Sequence, residues 1–258
     1  MMGGHHAVTG TAAWMAVVGS AEVAGRPLGL GLADLSPAEV LAGAVVATGA
    51  ALLPDIDHPG ATLARSGGLL SRLLSRSVGA AAGHRGATHT PLAVLVVTAI
   101  AAGVSAADAS LRVPVLGQIQ LGAALLVAGM TVLGVSALRV VDGHVLPWAI
   151  GLAAGAGIGV LAPETTLWLP LAVGIGCLSH LLGDLLTTRG IPFPLWPLVL
   201  RPGRAAGVLW HRSGNVALPV LGDAGSVREW ALCAILGAYA ALALLGAAWP
   251  VLRALPIS

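Results

Sequence analysis

The chain contains no lysine, and charged residues of every kind make up only 9% of its 258 positions. A soluble globular domain carries about 25% charge, so a surface built wholly to face water is excluded. The thirteen arginines are scattered, with no lysine-rich or arginine-rich block, and direct nucleic-acid binding is not expected. Cysteine is almost absent: Cys177 and Cys233 both lie in apolar runs, which rules out a disulfide framework and makes them small packing residues. Aromatics amount to 3%, with single phenylalanine and tyrosine residues and seven tryptophans. The opening Met1-Met2-Gly3-Gly4-His5-His6 lacks the basic leader and cleavage pattern of a secretory signal, so the first apolar segment is expected to be retained.

What fills the chain is hydrocarbon, at 57% hydrophobic residues and mean hydropathy +0.90. A spanning helix needs about 20 apolar residues, and on that ruler seven segments qualify, at about 7–24, 37–53, 90–107, 117–138, 145–162, 167–186 and 230–251. The expected fold is all-α, a polytopic transmembrane bundle of about seven spanning or membrane-embedded helices forming a single domain over residues 1–258. Trp148, Trp168, Trp230 and Trp249 fall at the expected helix ends, where tryptophan prefers the headgroup layer. Two connections are longer. Over 63–78, Leu69, Leu70, Leu73 and Leu74 oppose Ser71, Arg72, Ser75 and Arg76, the pattern of an amphipathic helix that either lies in the interface or packs on the protein. Over 187–228, repeated prolines forbid a long helix, so this is expected to be a loop that folds back over the helix ends. With seven crossings, ten arginines share the side of the N-terminus, leaving Arg26, Arg112 and Arg253 opposite. The positive-inside rule then puts the N-terminus in the cytoplasm of an inner-membrane protein.

The chemistry-bearing residues gather at those same helix ends. Pro54-Asp55-Ile56-Asp57-His58-Pro59 sets two carboxylates and an imidazole at the end of an apolar run, and aspartates that close repel unless a cation lies between them. Gly83-His84-Arg85-Gly86-Ala87-Thr88-His89-Thr90 offers two further imidazoles and, in Arg85, a guanidinium suited to an anion. His180 and Asp184, four residues apart in an apolar helix, share one face and can meet one metal ion. The alternatives are a helix cap with solvated acids for Asp55 and Asp57, a topogenic charge for Arg85, and a simple hydrogen-bonded pair for His180 and Asp184. His6 opens the first apolar run, with Gly10 one turn on, and would read as an exposed terminal histidine were it alone. His144 and His211 read as interfacial residues.

Together, His6 with Gly10, LLPDIDHP at 52–59, GHRGATHT at 83–90, SHLLGDLLTTRG at 179–190 with LWP at 195–197, and more weakly Gly225 with Glu229, resemble the LexA-binding, inner-membrane-associated metal-dependent hydrolase family. Residues 108–165 carry no matching motif, and Thr90 stands where the family usually has serine. Such proteins are distantly similar to the zinc-dependent phospholipase C and single-strand nuclease superfamily. That similarity implies a cluster of two or more zinc ions, with His180 and Asp184 as the helical ligand pair and His6 as the N-terminal ligand. Asp55, Asp57, His58, His84 and His89 are the remaining candidate ligands. Thr88 and Glu229 are candidate supports behind them, and a LexA-type regulator is the implied partner.

These readings lead to a membrane-bound metal-dependent hydrolase facing the cytoplasm. Divalent ions, zinc first and manganese or magnesium as alternatives, would activate water against a phosphoester in a phospholipid or lipid-linked substrate. Asp55 or Asp57 would serve as base, and Arg85 would stabilise the developing anion. Two other classes remain open here: an ion or proton transporter, because intramembrane acids and histidines also mark ion paths, and a membrane scaffold with a structural metal.

Overall fold

The fold is that of a computed structural model, which describes all residues except 24, 83–85, 108, 115–116, 162–167, 197, 199, 204–205 and 255–258. His84 and Arg85 therefore lie outside the described residues. The helices are α1 (Gly3–Val18), α2 (Pro37–Ala50), α3 (Thr62–Ser66), α4 (Gly68–Ala82), α5 (Pro91–Ala106), α6 (Leu121–Ala137), α7 (Val145–Leu161), α8 (Trp168–Leu185) and α9 (Val227–Ala254), with 3-10 turns at Pro54–Asp57 and Ala87–His89. A helix thus occupies each of the seven apolar segments. Their capability differs. Pro37–Asp57, Trp168–Leu185 and Val227–Arg253 are long and apolar enough to cross a membrane, whereas Pro91–Ala106, Leu121–Ala137 and Val145–Gly159 are apolar but shorter. A helix of 17 residues reaches about 26 Å against a hydrocarbon core of about 30 Å.

The all-α expectation needs one amendment, because three two-stranded antiparallel ribbons decorate the connections. They are Glu22–Val23 with Arg26–Pro27, Ser110–Val113 with Gly117–Gln120, and Ile191–Pro192 with Asn215–Val216. The last tethers the long 187–228 connection to itself.

Local chemistry sets the helix starts nearest the site. Ser36 and Glu39 form a reciprocal capping box before α2, and Pro37 takes the first helical position, where its missing N–H costs nothing. Thr90 does the same for α5, accepting from the Ala93 N–H with Pro91 behind it, which fixes the chain direction immediately after His89. In the interior, α2 lies against α1, α6, α8 and α9. Its contacts with α1 and α8 depend on missing side chains. A Cβ at Gly10 or at Gly176 would stand 2.5 Å from the Ala47 carbonyl oxygen, so both helices ride directly on the α2 backbone. Around them Trp14, Met15, Val46, Leu169 and Val173 are buried, and the Trp14 indole donates to the Val40 carbonyl.

Two expectations change. Trp168 is a core residue, 1% exposed, while Trp148, Trp230 and Trp249 are exposed. The 63–78 segment is broken into α3 and α4 at Gly67 and Gly68, the latter with φ +64°. On α4 only a narrow strip of small residues turns inward: Ser75 is buried, and a Cβ at Gly79 would meet the Asp57 carbonyl oxygen at 2.6 Å, while Arg72 and Arg76 are exposed. Leu69, Leu73 and Leu74 face outward.

Candidate metal centre

Alternating helix directions bring the start of α1, the turn after α2, the turn before α5 and the end of α8 to one end of the bundle. His6, Asp57, His89, His180 and Asp184 are buried there, and the Asp55 side chain keeps 24% exposure. His180 Nδ1–H donates to the Ala51 carbonyl at 2.7 Å, which turns the Nε2 lone pair toward the cluster. The His89 Nδ1 sits 3.0 Å from Thr88 Oγ1 and 3.5 Å from Asp57 Oδ2. Because Thr88 donates its own proton to Asp57 Oδ2 at 2.7 Å, its oxygen is left to accept from His89, and the His89 Nε2 is likewise aimed inward.

Four donor atoms result: Nε2 of His89 and His180, Oδ1 of Asp55 and Oδ2 of Asp184. His89 Nε2 lies 3.2 Å from His180 Nε2, 3.5 Å from Asp55 and 3.6 Å from Asp184; His180 Nε2 lies 3.7 Å from Asp55 and 3.8 Å from Asp184. A tetrahedral zinc ion with bonds of about 2.0–2.2 Å has ligand–ligand edges of about 3.3–3.6 Å. The trio of Asp55, His89 and His180, with all donor atoms within 4.8 Å of one another, supplies three ligands at edges close to these values, and Asp184 lies at a similar distance from both imidazoles. The donor set fits a divalent cation by chemistry as well, since paired imidazoles and carboxylates suit zinc or manganese better than magnesium.

Asp184 also serves a second group. Its Oδ1 lies 3.4 Å from His6 Nε2 and 2.5 Å from the Met1 amine, and the His6 ring stacks on His180 with centroids 3.6 Å apart. His6, His180 and Asp184 thus form a second trio able to hold a cation. The gap is kept open by Gly183, where a Cβ would stand 2.4 Å from the Met1 sulfur. Burial pushes the His89 imidazole pKa down, but the Asp55 and Asp57 carboxylates outweigh it and raise the pKa to about 9. The two aspartates thus favour positive charge at His89.

Seven of the eight residues read from sequence as ligands can be located, and five of them, His6, Asp55, His89, His180 and Asp184, contribute donors to the two groups. Asp57 is adjacent and holds Thr88 and His89. His58 stands apart: it is exposed, its Nδ1 accepts from the Gly60 N–H, and it lines a cavity of about 200 Å³ that also reaches Asp55. His211 bonds within its own turn, to the Val208 carbonyl. Glu229, read as a support, is fully buried and accepts from the Met2 and Gly225 N–H groups and from His5 Nδ1 at 2.5 Å. His5 is the residue that sequence reading leaves without a role. Its partner lies 224 positions away, and only its place beside His6 could have drawn attention.

A sequence profile of the YdjM inner membrane protein family matches residues 1–251, and the chain belongs to that family. No curated protein and no solved structure matches it.

Proposed function

We propose that this inner-membrane protein is a metal-dependent hydrolase acting on a phosphoester of a phospholipid or lipid-linked substrate, with its site at the cytoplasmic headgroup level. The observation that carries the reading is the trio of Asp55, His89 and His180 donors, within 4.8 Å of one another, which leaves a coordination position for water, with Asp184 close beside the two imidazoles. Zinc held there would supply Lewis acidity, lowering the pKa of water toward about 7 and polarising a phosphoryl oxygen. The chain's own residues divide the remaining work. Asp57 is buried and engaged by Thr88 and His89, so it orients the imidazole. Asp55 is part-exposed and lines the adjoining cavity, so with its Oδ1 turned to the imidazoles its other carboxylate oxygen is the one able to take a proton from water there. The outward leucines of α4 support a position at the lipid surface.

The cluster sits at one end of the bundle, and the core beyond it is apolar, with Trp14, Met15, Val46 and Leu169 fully buried. That favours hydrolysis over conduction, which needs polar groups through the full thickness. A LexA-type partner is carried by the family resemblance alone. The test is metal analysis and hydrolysis by detergent-solubilised protein, with p-nitrophenyl phosphate, its bis-ester and dihexanoyl phosphatidic acid as substrates. Asp55→Ala and His180→Ala should lose metal and at least about a thousandfold in rate, the equivalent of several kcal/mol of Lewis-acid stabilisation. Undiminished hydrolysis in both variants would refute the reading.

A further inference from the structure

We propose that the large cavity beside the metal centre is a phosphoanion-binding subsite built on Arg65 and Arg139. The cavity, about 580 Å³, lies between the start of α1, α3, the end of α6, the start of α7 and Trp230 of α9. Its polar lining includes Arg65, Arg139, His144 and His5 together with the first-turn backbone of α1 at Gly3 and Gly4, and among the described residues no carboxylate lines it. Neither guanidinium has a hydrogen-bond or ion-pair partner among the described residues. Both arginines are exposed and line one cavity with no acid beside it, so the electrostatic balance there favours an anion.

Three further observations point to a ligand. His5 lines the cavity and is 6% exposed, its Nδ1 is fixed by Glu229, its ring meets Trp230 edge-on at 4.5 Å, and its buried Nε2 has no hydrogen-bond partner among the described residues. A buried polar atom of that kind is normally satisfied. The sixteen-residue helix α1 begins at this wall with no N-cap side-chain bond, and while Glu229 takes the Met2 N–H, Gly3 and Gly4 of the first turn line the cavity. Arg139 has φ +52°, the only positive value at a non-glycine among the described residues. It occupies the left-handed position just past the end of α6, where glycine is the usual choice. Ending the helix does not require arginine.

The cavity joins the hydrolytic centre. Gly3, Gly60 and Thr62 line both it and the smaller cavity that reaches Asp55, and Arg65 Nη2 lies 3.5 Å from where a Gly60 Cβ would stand. In placing a bound phosphoanion next to a reacting phosphoester, the proposal rests on the hydrolase reading; the binding itself needs no metal. The chemistry is shared by a free phosphate and by a phosphate on a lipid headgroup, and the smaller Asp55 cavity would take the bond to be broken while the arginines hold the anion.

The full chain in detergent micelles, treated with EDTA, is titrated with inorganic phosphate and with dihexanoyl phosphatidic acid, and binding is read from thermal shift and phosphorus NMR line width. Saturable binding is expected that weakens at least about tenfold in Arg65→Gln and in Arg139→Gly, the loss of one charge-assisted hydrogen bond. Arg139→Gly relaxes the backbone, so its unliganded melting temperature should equal or exceed that of wild type, which separates lost binding from lost folding. Arg112→Gln, at the other end of α6, should bind as wild type does. Tighter binding of phosphatidic acid assigns the subsite to a headgroup, and equal or tighter binding of inorganic phosphate assigns it to the free ion; both support it. Absence of saturable binding, or binding indifferent to both arginine variants, overturns it. Binding seen only with metal and indifferent to the arginines would belong to the metal centre, leaving the hydrolase reading intact. Arginine-dependent binding in a protein that holds no metal would do the reverse.

Discussion

The Nε2 atoms of His89 and His180 face each other at 3.2 Å, each ring held from behind through its Nδ1. Two lone pairs aimed at each other repel unless a proton or a cation lies between them. A divalent ion satisfies both and draws in Asp55 and Asp184 as well. Gently extracted protein should therefore carry at least about one equivalent of divalent metal, and EDTA should lower its unfolding temperature. Restoring zinc at a hundred times its dissociation constant should return about 2.7 kcal/mol. His180→Ala should hold no metal and show no EDTA response, with mass-spectrometric metal analysis and differential scanning fluorimetry as the paired readouts.

Thr88 supports this geometry without being a donor to the cation. Its hydroxyl proton goes to Asp57 and its oxygen faces the His89 Nδ1. Removing it in Thr88→Val leaves a buried carboxylate short of a donor, a cost of about 1–3 kcal/mol, and frees the His89 ring to turn. Metal affinity should fall about 10–100-fold, the usual effect of losing a support behind a ligand. Thr88→Ser keeps the hydroxyl and should keep the affinity. A zinc titration against a competing chelator distinguishes the two; equal affinities would show that Thr88 does not orient the ring.

The helices and most of the centre are legible in the sequence for a simple reason: apolar runs of spanning length and ionisable groups at their ends are both rare, so each stands out. His180 and Asp184 were readable as a pair from their four-residue spacing. The contribution of Asp57 was not, because adjacent carboxylates look alike until Thr88 and His89 are placed around one of them. His5 with Glu229 escaped for the same reason, since no periodicity links the two ends of the chain. The face of α4 could be read as a pattern but not as an orientation: leucines opposite arginines suit either a protein core or a lipid surface, and only the structure shows that Ser75 and Gly79 are the residues set against the protein, at the Asp57 turn. Trp168 misleads because a tryptophan at a helix end has the same local sequence whether it meets headgroups or neighbouring helices.

Gly10 and Gly176 couple the packing to the centre. Each abuts the Ala47 carbonyl, and a methyl group 2.5 Å from that oxygen must push its helix away. Gly10→Ala and Gly176→Ala should each destabilise by about 1–3 kcal/mol. Because α1 carries His6 and α8 carries His180 and Asp184, both should also lower metal occupancy. Gly103→Ala in α5, where a Cβ meets nothing within 4 Å, should be neutral or slightly stabilising. A drop in stability with unchanged metal content would separate the helix contact from the site.

If all seven apolar helices cross, the connections that carry α4 and the proline-rich loop share one face of the membrane, and the ribbon between α5 and α6 lies on the other. Ser77, Ser213 and Ser110 are exposed reporters in those three places. Serine-to-cysteine variants disturb little there, and the native Cys177 and Cys233 are buried. In intact spheroplasts, a membrane-impermeant maleimide should label Ser110→Cys and spare Ser77→Cys and Ser213→Cys until the membrane is opened, as the arginine distribution requires. Labelling of Ser77→Cys and Ser213→Cys from opposite sides would mean that one of the shorter helices, α5, α6 or α7, turns back within the bilayer, and the arginines would then have to be recounted from that turn.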